Sequence, residues 1–204
     1  TEATSLLWSY GIEDMVRKEY AKHNLHLLAI FPIQSTTLTS KFPVNSVADL
    51  KGKKIRATGI QGEILKAAGA ATTYVQATEV FGALETGVVD GAVLGGLVAA
   101  GVFSLHEVAK YGMMPALVGG STEEIRINKE LWDSLPKDLQ TILEVCARDH
   151  YTAWSSWQRG LRAAILGMMA SKGFKVVNMP AEEYKKMQAI AMGVYEKKAA
   201  KNKQ

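Results

Sequence analysis

Arg56 is the residue of this sequence whose position points most directly to chemistry. It lies in the run Lys54 to Thr58, which is typical of a short β-strand, and a helical pattern begins at Gly59 directly after that run. In an open α/β sheet, ligands bind in the crevice beyond the carboxyl ends of the strands. A buried guanidinium at such a place requires an anion, and its planar fork of donors matches a carboxylate. The residues therefore predict a site that captures a small acid.

The helix that follows Arg56 adds hydrogen-bond donors to this predicted site. Its pattern runs from Gly59 to Gly69, and it begins with the small-residue turn Gly59-Ile60-Gln61. The first N–H groups of a helix have no partner within the helix and favour an anion in front of them. Because this helix start lies on the same side as the end of the strand, both groups of donors favour one bound anion. An arginine exposed to solvent at the strand end is the alternative interpretation.

Signatures of catalysis are mostly missing from the sequence. It contains no Gly-x-Ser-x-Gly elbow, no phosphate-binding Gly-x-x-x-x-Gly-Lys loop and no His-Glu-x-x-His motif, and its four histidines are scattered. Glu79 and Asp90 are interpreted as a first-turn helix acid and as part of an Asp-Gly turn. A hydrolase or transferase that uses Glu79 or Asp90 is one alternative function. No catalytic residue, metal site or cofactor is predicted.

The order of elements around Arg56 indicates the α/β class. Strand patterns at Lys54–Thr58, Thr72–Gln76 and Val88–Leu94 alternate with helical patterns, which argues for a parallel sheet. Beyond Pro115, Ser121 to Asn128 alternates like an extended strand. From Lys137 to about Ser171 the apolar residues keep helical spacing, which predicts one unusually long helix.

Composition excludes several classes of protein. The chain has 204 residues, 48% of them hydrophobic and 22% charged, as in ordinary globular domains, and it has no apolar run long enough to span a membrane. The net charge of +4 comes largely from lysines after the last helical pattern, and no basic stripe interleaved with aromatic residues occurs elsewhere. Nucleic-acid binding is therefore not expected. The single cysteine, Cys146, lies among apolar neighbours and is predicted to be a small core residue.

Three segments of the sequence are similar to one known family. They are Asn45-Ser46-Val47-Ala48-Asp49-Leu50-Lys51-Gly52-Lys53-Lys54-Ile55-Arg56, Glu79-Val80-Phe81-Gly82-Ala83-Leu84-Glu85-Thr86-Gly87-Val88-Val89-Asp90-Gly91, and Ile127-Asn128-Lys129-Glu130-Leu131-Trp132-Asp133-Ser134-Leu135-Pro136. The chain resembles the extracytoplasmic solute-binding proteins of the DctP family, which serve tripartite ATP-independent periplasmic (TRAP) transporters.

The resemblance implies a fold and a division into domains. It implies a periplasmic-binding-protein-like α/β architecture of type II, with two lobes and a long connecting helix, and it implies that most of the N-terminal lobe is missing here. Residues 30–118 are assigned to the ligand-binding α/β lobe. Residues 1–29 and 119–204 are assigned to helices and crossover strands that link to the other lobe and complete it.

The resemblance also implies the residues of the ligand site. In the family, the arginine that ends the Leu-Lys-Gly-x-Lys-x-Arg segment forms a salt bridge with the carboxylate of the substrate, and Arg56 occupies that place. Val93 and Leu94 stand where polar or aromatic contacts are common in the family, and with Met114 nearby they lead us to expect a monocarboxylate with an apolar body. Thr58 completes the expected contacts, with Gln34 or a hydroxyl near it as a second polar group.

The function that the resemblance implies is reception rather than catalysis. The protein is expected to bind a small organic acid in the periplasm and to deliver it to the membrane subunits of a TRAP permease, with no cofactor. This sequence shows no signal peptide of its own. An effector-binding domain of a regulator or signalling receptor is the alternative, because the same two-lobe architecture is reused there.

Overall fold

The computed structural model describes residues 9–33, 35–117 and 121–201, which form two compact units. Unit 1 contains the described residues 9–33 and 121–160, and unit 2 contains residues 35–117 and 161–201. In chain order, the strands are β1 (Leu25–Ile33), β2 (Leu38–Ser40), β3 (Lys54–Arg56), β4 (Ala71–Thr73), β5 (Gly91–Val93), β6 (Tyr111–Met114), β7 (Ser121–Asn128) and β8 (Lys175–Asn178).

The α-helices follow the same order. They are α1 (Ile12–Ala21), α2 (Gly59–Ala67), α3 (Val80–Glu85), α4 (Leu97–Val102), α5 (Leu105–Val108), α6 (Lys129–Ser134), α7 (Lys137–Ser171) and α8 (Ala181–Lys201). Short 3-10 helices cover Val47–Leu50 and Ala77–Glu79. Among the described helices, none has the combination of length and apolar character that crossing a bilayer requires.

Unit 2 is built on a six-stranded sheet with the order β4-β3-β5-β2-β6-β8. The predicted parallel pairing is confirmed for β3 with its neighbours β4 and β5, and β6 also runs parallel to β8. The sheet as a whole is mixed, because β2 is antiparallel to both β5 and β6. β2 (Leu38–Ser40) is fully buried although two of its three residues are polar.

Both faces of this sheet are covered by buried apolar side chains. One cluster joins Ile55 of β3 with Ile64 and Leu65 of α2 and Met187 of α8. A second cluster, on other elements of unit 2, includes Leu84, Leu97, Leu105, Met169 and Phe174. Burial of this kind stabilises the unit by about 25 cal/mol for each Å² of apolar surface removed from water.

Unit 1 is built on a two-stranded antiparallel sheet of β1 and β7. Phe31 of β1 and Trp132 of α6 lie in one of its apolar clusters, and Leu27 and Ile30 pack against α1 in another. The side chain of Trp132 is buried. The extended conformation expected for residues 121–128 is confirmed as β7.

The long helix is confirmed as α7, and the boundary between the two units falls within it, after Gly160. The prediction that Cys146 is a core residue is wrong, because this thiol is exposed. Its neighbours Ile142 and Val145 are exposed as well, at 54% and 61%. Apolar spacing along a helix therefore did not decide burial in this part of α7.

Residues 161–201 belong to the same unit as the sheet that carries Arg56. The family resemblance predicted that all residues after 118 belong to the linking helices and strands and to the other lobe. The described structure divides the chain differently because β8 pairs with β6 and because α8 contributes Met187 to the cluster around Ile55.

Candidate functional site

The site is set by the directions of the strands in unit 2. Strands β3, β5 and β6 point the same way, because β3 is parallel to β5 and β2 is antiparallel to both β5 and β6. The carboxyl ends of these three strands therefore lie at one edge of the sheet, together with the amino end of β2. This edge, called the carboxyl edge below, brings together Arg56, Leu94, Met114 and the residues before Leu38.

Arg56 ends β3 at the carboxyl edge, and its side chain is held by two backbone carbonyls. Its Nε donates to the oxygen of Val75 at 2.9 Å, and its Nη1 donates to the oxygen of Val93 at 2.6 Å. The residue is 7% exposed. Among the described residues, no acidic side chain forms an ion pair with Arg56, and its Nη2 has no hydrogen-bond partner.

Burial makes a negatively charged partner favourable for this guanidinium. The pKa of Arg56 is lowered chiefly because the group is removed from water, and nearby Tyr74 acts in the opposite direction. Arginine remains charged even so, because its guanidinium does not lose its proton in proteins near neutral pH. A buried charge without a counterion is costly, and two carbonyl dipoles offset it only in part. The site therefore favours an anion at the free side of the guanidinium.

A pocket lies beside the connection from β3 to α2 and next to Glu63 and Lys66 of α2, and Arg56 is not among the residues that line it. Its volume is about 290 Å³, and its lining includes Ala57, Gly59, Thr73 and Tyr74. Gly59, the first residue of α2, has a φ of +55°, a conformation that glycine adopts without steric cost. The glycine thus allows β3 to turn directly into α2, and the first residue of α2 lies three residues from Arg56 in the chain.

Two threonines at the carboxyl edge were missed by reasoning from the sequence. Thr37 is 3% exposed; its N–H donates to the oxygen of Gly95 at 3.0 Å, whereas its Oγ1 has no partner among the described atoms. Thr36 accepts a hydrogen bond at 2.7 Å from Nε2 of Gln61 in α2. The only signal in the sequence was the expectation of a hydroxyl near Gln34.

The other predicted contacts lie in different surroundings. Thr58 is exposed and precedes α2 as its N-terminal cap residue. Leu94 and Met114 are half-buried and pack against the second apolar cluster of unit 2. Val93 is 1% exposed and packs in the cluster around Ile55, so its carbonyl rather than its side chain meets Arg56. Gln34 lies outside the described residues.

The acids considered for catalysis do not join this site. Asp90 precedes β5, and its carboxylate accepts the N–H of Lys54 at 2.8 Å, at the edge of the sheet opposite to Arg56. Glu79 is exposed at the end of a 3-10 helix. Within the described part of the chain, no three His, Cys, Asp or Glu residues group together in a way that could hold a metal ion.

The chain is similar to known proteins over most of its length. The family model described as bacterial extracellular solute-binding protein, family 7 (DctP) matches residues 1–202. A monocarboxylate 2-oxoacid-binding periplasmic protein of Nostoc sp. is 26% identical over 192 residues, which are 92% of this chain and 52% of that protein. The ectoine-binding periplasmic protein of Halomonas elongata is 30% identical over 149 residues, 70% of this chain and 42% of the relative.

The structural comparison agrees with the sequence comparison. The structure of the ectoine-binding protein of the Halomonas elongata TRAP transporter superposes with a TM-score of 0.85 at 26% identity, covering 95% of this chain and 64% of that one. The chain thus spans about half the length of the curated relatives that it matches. The predicted α/β fold of TRAP periplasmic binding proteins is confirmed, and the chain belongs to the DctP family of bacterial extracellular solute-binding proteins.

Proposed function

We propose that this chain carries the acid-binding part of an extracytoplasmic solute receptor, and that Arg56 holds the carboxylate of a small organic acid. The observation that carries the proposal is a buried guanidinium with two donors engaged by backbone carbonyls and no acidic partner among the described residues. The engaged carbonyls fix the plane of the group, which leaves Nη2 oriented for a ligand. A carboxylate supplies both the missing charge and a strong hydrogen-bond acceptor.

The surroundings of Arg56 favour a ligand with one charged end. Thr37 offers a buried hydroxyl without a partner at the same edge, which suits a second polar atom of the ligand. Leu94 and Met114 are the half-buried apolar side chains at this edge and would contact an apolar body. The site therefore fits a short monocarboxylate better than a sugar with many hydroxyl groups.

The place and the partner follow from the family. Its members are solute-binding proteins rather than enzymes, and the relatives named above are periplasmic. We therefore propose that the protein works in the periplasm and delivers its ligand to the membrane subunits of a TRAP permease. The Nostoc relative is described as binding monocarboxylate 2-oxoacids, which supports the same class of ligand for this chain.

The decisive experiment removes the guanidinium and measures binding by titration calorimetry. Butyrate, 2-oxobutyrate and the neutral amide butyramide serve as probes. In Arg56→Ala, we expect the affinity for the acids to fall by at least about a hundredfold, because losing one partner of a buried charge pair costs about 3–5 kcal/mol. Arg56→Lys keeps the charge but loses the fork of donors, so its affinity should lie between those of the parent protein and Arg56→Ala.

The control replaces an arginine of the same unit that is exposed. Arg162 lies on the exposed side of α7, and Arg162→Ala should leave acid binding unchanged. Thermal unfolding followed by circular dichroism shows whether each variant remains folded. Equal affinity of Arg56→Ala and the parent protein for the acids, or binding of butyramide as tight as that of butyrate, would contradict the proposal.

A further inference from the structure

A second concave surface of unit 2 lies between the last turns of two helices. The groove has a volume of about 400 Å³ and is formed by the C-terminal parts of α2 and α8. Its lining includes the lysines Lys66, Lys197, Lys198 and Lys201 and the apolar side chains of Ala67 and Val194. It is called the lysine groove below.

Most of the positive charge in the lysine groove is not compensated within the described structure. Lys198 forms an ion pair of 2.7 Å with Glu63, the one acidic residue of the lining. Lys66, Lys197 and Lys201 form no hydrogen bond or ion pair through their side chains with any described residue. The lining therefore carries an excess of three positive charges.

The electrostatics of the helix ends explain only part of this excess. A helix C-terminus has a partial negative charge of about half an elementary charge, so lysines in a last turn are stabilised there. Two helix ends meet at the groove, and together they offset about one positive charge. The remaining positive charge belongs to exposed lysines that line one groove from two different helices.

We propose that the lysine groove is a docking site for an acidic segment of a partner protein. The charge complementarity favours glutamate or aspartate side chains on the segment, and the apolar surface of Ala67 and Val194 favours an apolar residue between them. A concave groove of this size suits a few side chains of an extended segment better than a flat lipid surface. The inference goes beyond the capture of a small acid and does not depend on it.

The test uses a defined peptide and fluorescence anisotropy. The probe is a fluorescein-labelled, end-blocked pentapeptide with a central leucine flanked by two glutamates on each side. It should bind the 204-residue chain one to one, and the affinity should fall by about tenfold between about 50 and 300 mM NaCl, because salt screens contacts between exposed charges. The matching peptide with glutamine in place of glutamate should show no saturable binding.

Charge reversal locates the site. In Lys197→Glu/Lys201→Glu we expect the affinity for the acidic peptide to fall by at least about tenfold. The double variant Lys41→Glu/Lys175→Glu changes the net charge equally at exposed lysines of the same unit that do not line the groove, and it should bind like the parent chain. Should the reversed groove variant unfold, Lys197→Gln/Lys201→Gln serves in its place.

Three outcomes would overturn the proposal. Equal losses in the groove and control variants would mean non-specific attraction to the positive chain, and binding without saturation would mean the same. Groove-dependent sedimentation with vesicles of phosphatidylcholine and about 30% phosphatidylserine, together with no peptide binding, would assign the groove to a lipid surface. Calorimetric titration of the groove variants with butyrate keeps this test separate from the Arg56 proposal, because neither lysine lies at the carboxyl edge.

Discussion

Unit 2 and unit 1 bury their apolar residues to different degrees. Unit 2 places a six-stranded sheet between two apolar clusters, and Ile55, Ile64, Leu84 and Met169 are all 0% exposed there. Unit 1 has a two-stranded sheet, and α7 leaves apolar side chains such as Ile142 largely exposed. A two-stranded ribbon has little stability of its own, whereas three or more strands with covered faces can stand alone.

The candidate site lies in unit 2, the unit with the larger core. The guanidinium of Arg56 is held there by strands and their immediate ends rather than by long loops. A site that keeps a charge buried needs such rigid surroundings, because the carbonyl partners must stay in position before the ligand arrives. Unit 1 instead contains a buried carboxylate, Glu13, that forms ion pairs with Arg17 and Arg148.

The largest effect is expected from a cavity in the core of unit 2. Ile55→Ala should lower the free energy of unfolding of this unit by about 2–5 kcal/mol, because the truncated side chain is fully buried. Ile142→Ala, on the exposed face of α7, should change stability by less than about 0.5 kcal/mol. Hydrogen exchange, measured peptide by peptide, reports the stability of each unit separately. Equal losses of stability in the two variants would contradict the distinction between the units.

An intermediate effect is expected from the buried carboxylate of unit 1. Glu13 is 5% exposed, and its Oε1 lies 2.8 Å from Nη2 of Arg17 and 2.9 Å from Nη2 of Arg148. Glu13→Gln should cost about 1–3 kcal/mol, because both arginines keep their charge while the acceptor loses its own. The exposed pair of Glu19 with Lys22 provides the control, and Glu19→Gln should cost less than about 1 kcal/mol.

The same variant tests whether the two units unfold separately. Protection of the amides in α1 and β1 should fall in Glu13→Gln, while protection in β3 and β5 should stay unchanged. A uniform loss of protection over both units would show that they unfold together and would contradict the separation of their stabilities.

The smallest effect is a dependence of unit 1 on pH. The ring of His26 stacks on Trp132 with centroids 4.2 Å apart, and burial, followed by the positive charge of Arg17, lowers the pKa of His26 below its usual 6.5. Protonation therefore favours the unfolded chain, so stability is fully present above pH 6.5 and is lost as the pH falls from there through the folded-state pKa.

Two histidine variants test this dependence. His26→Gln should flatten the fall in stability between about pH 7 and pH 5, whereas His23→Gln, at an exposed position, should retain it. Hydrogen exchange at both pH values, resolved for α6 and β1, provides the measurement. An undiminished slope in His26→Gln would show that another group is responsible.

Local sequence patterns determined many elements of this protein. The spacing of apolar residues placed α7 at Lys137–Ser171, and the alternation after Pro115 placed β7. Small residues around Gly59 placed the start of α2 and left Arg56 at the end of β3. These predictions succeeded because helical and strand periodicity and the turn chemistry of glycine act over a few residues.

Burial was less predictable than secondary structure. The apolar spacing around Cys146 indicated a core position, yet burial also needs a partner surface, and the described residues supply none over that face. The opposite case is Leu38–Ser40, a short and largely polar segment that forms a buried strand in the middle of the sheet. Neither outcome follows from local preference, because each depends on which segments meet in the fold.

The sequence alone was enough to place an arginine at the end of a strand and just before a helix, where a carboxylate could be bound. Only the folded structure shows what surrounds the guanidinium, because its carbonyl partners Val75 and Val93 lie 19 and 37 residues further along the chain. Thr37, at the same edge of the sheet, precedes the antiparallel strand β2. Hydrogen bonds between distant segments require the sheet to close first. For that reason the charge could be found from the sequence, whereas the lack of an acidic partner among the described residues could be found only from the fold.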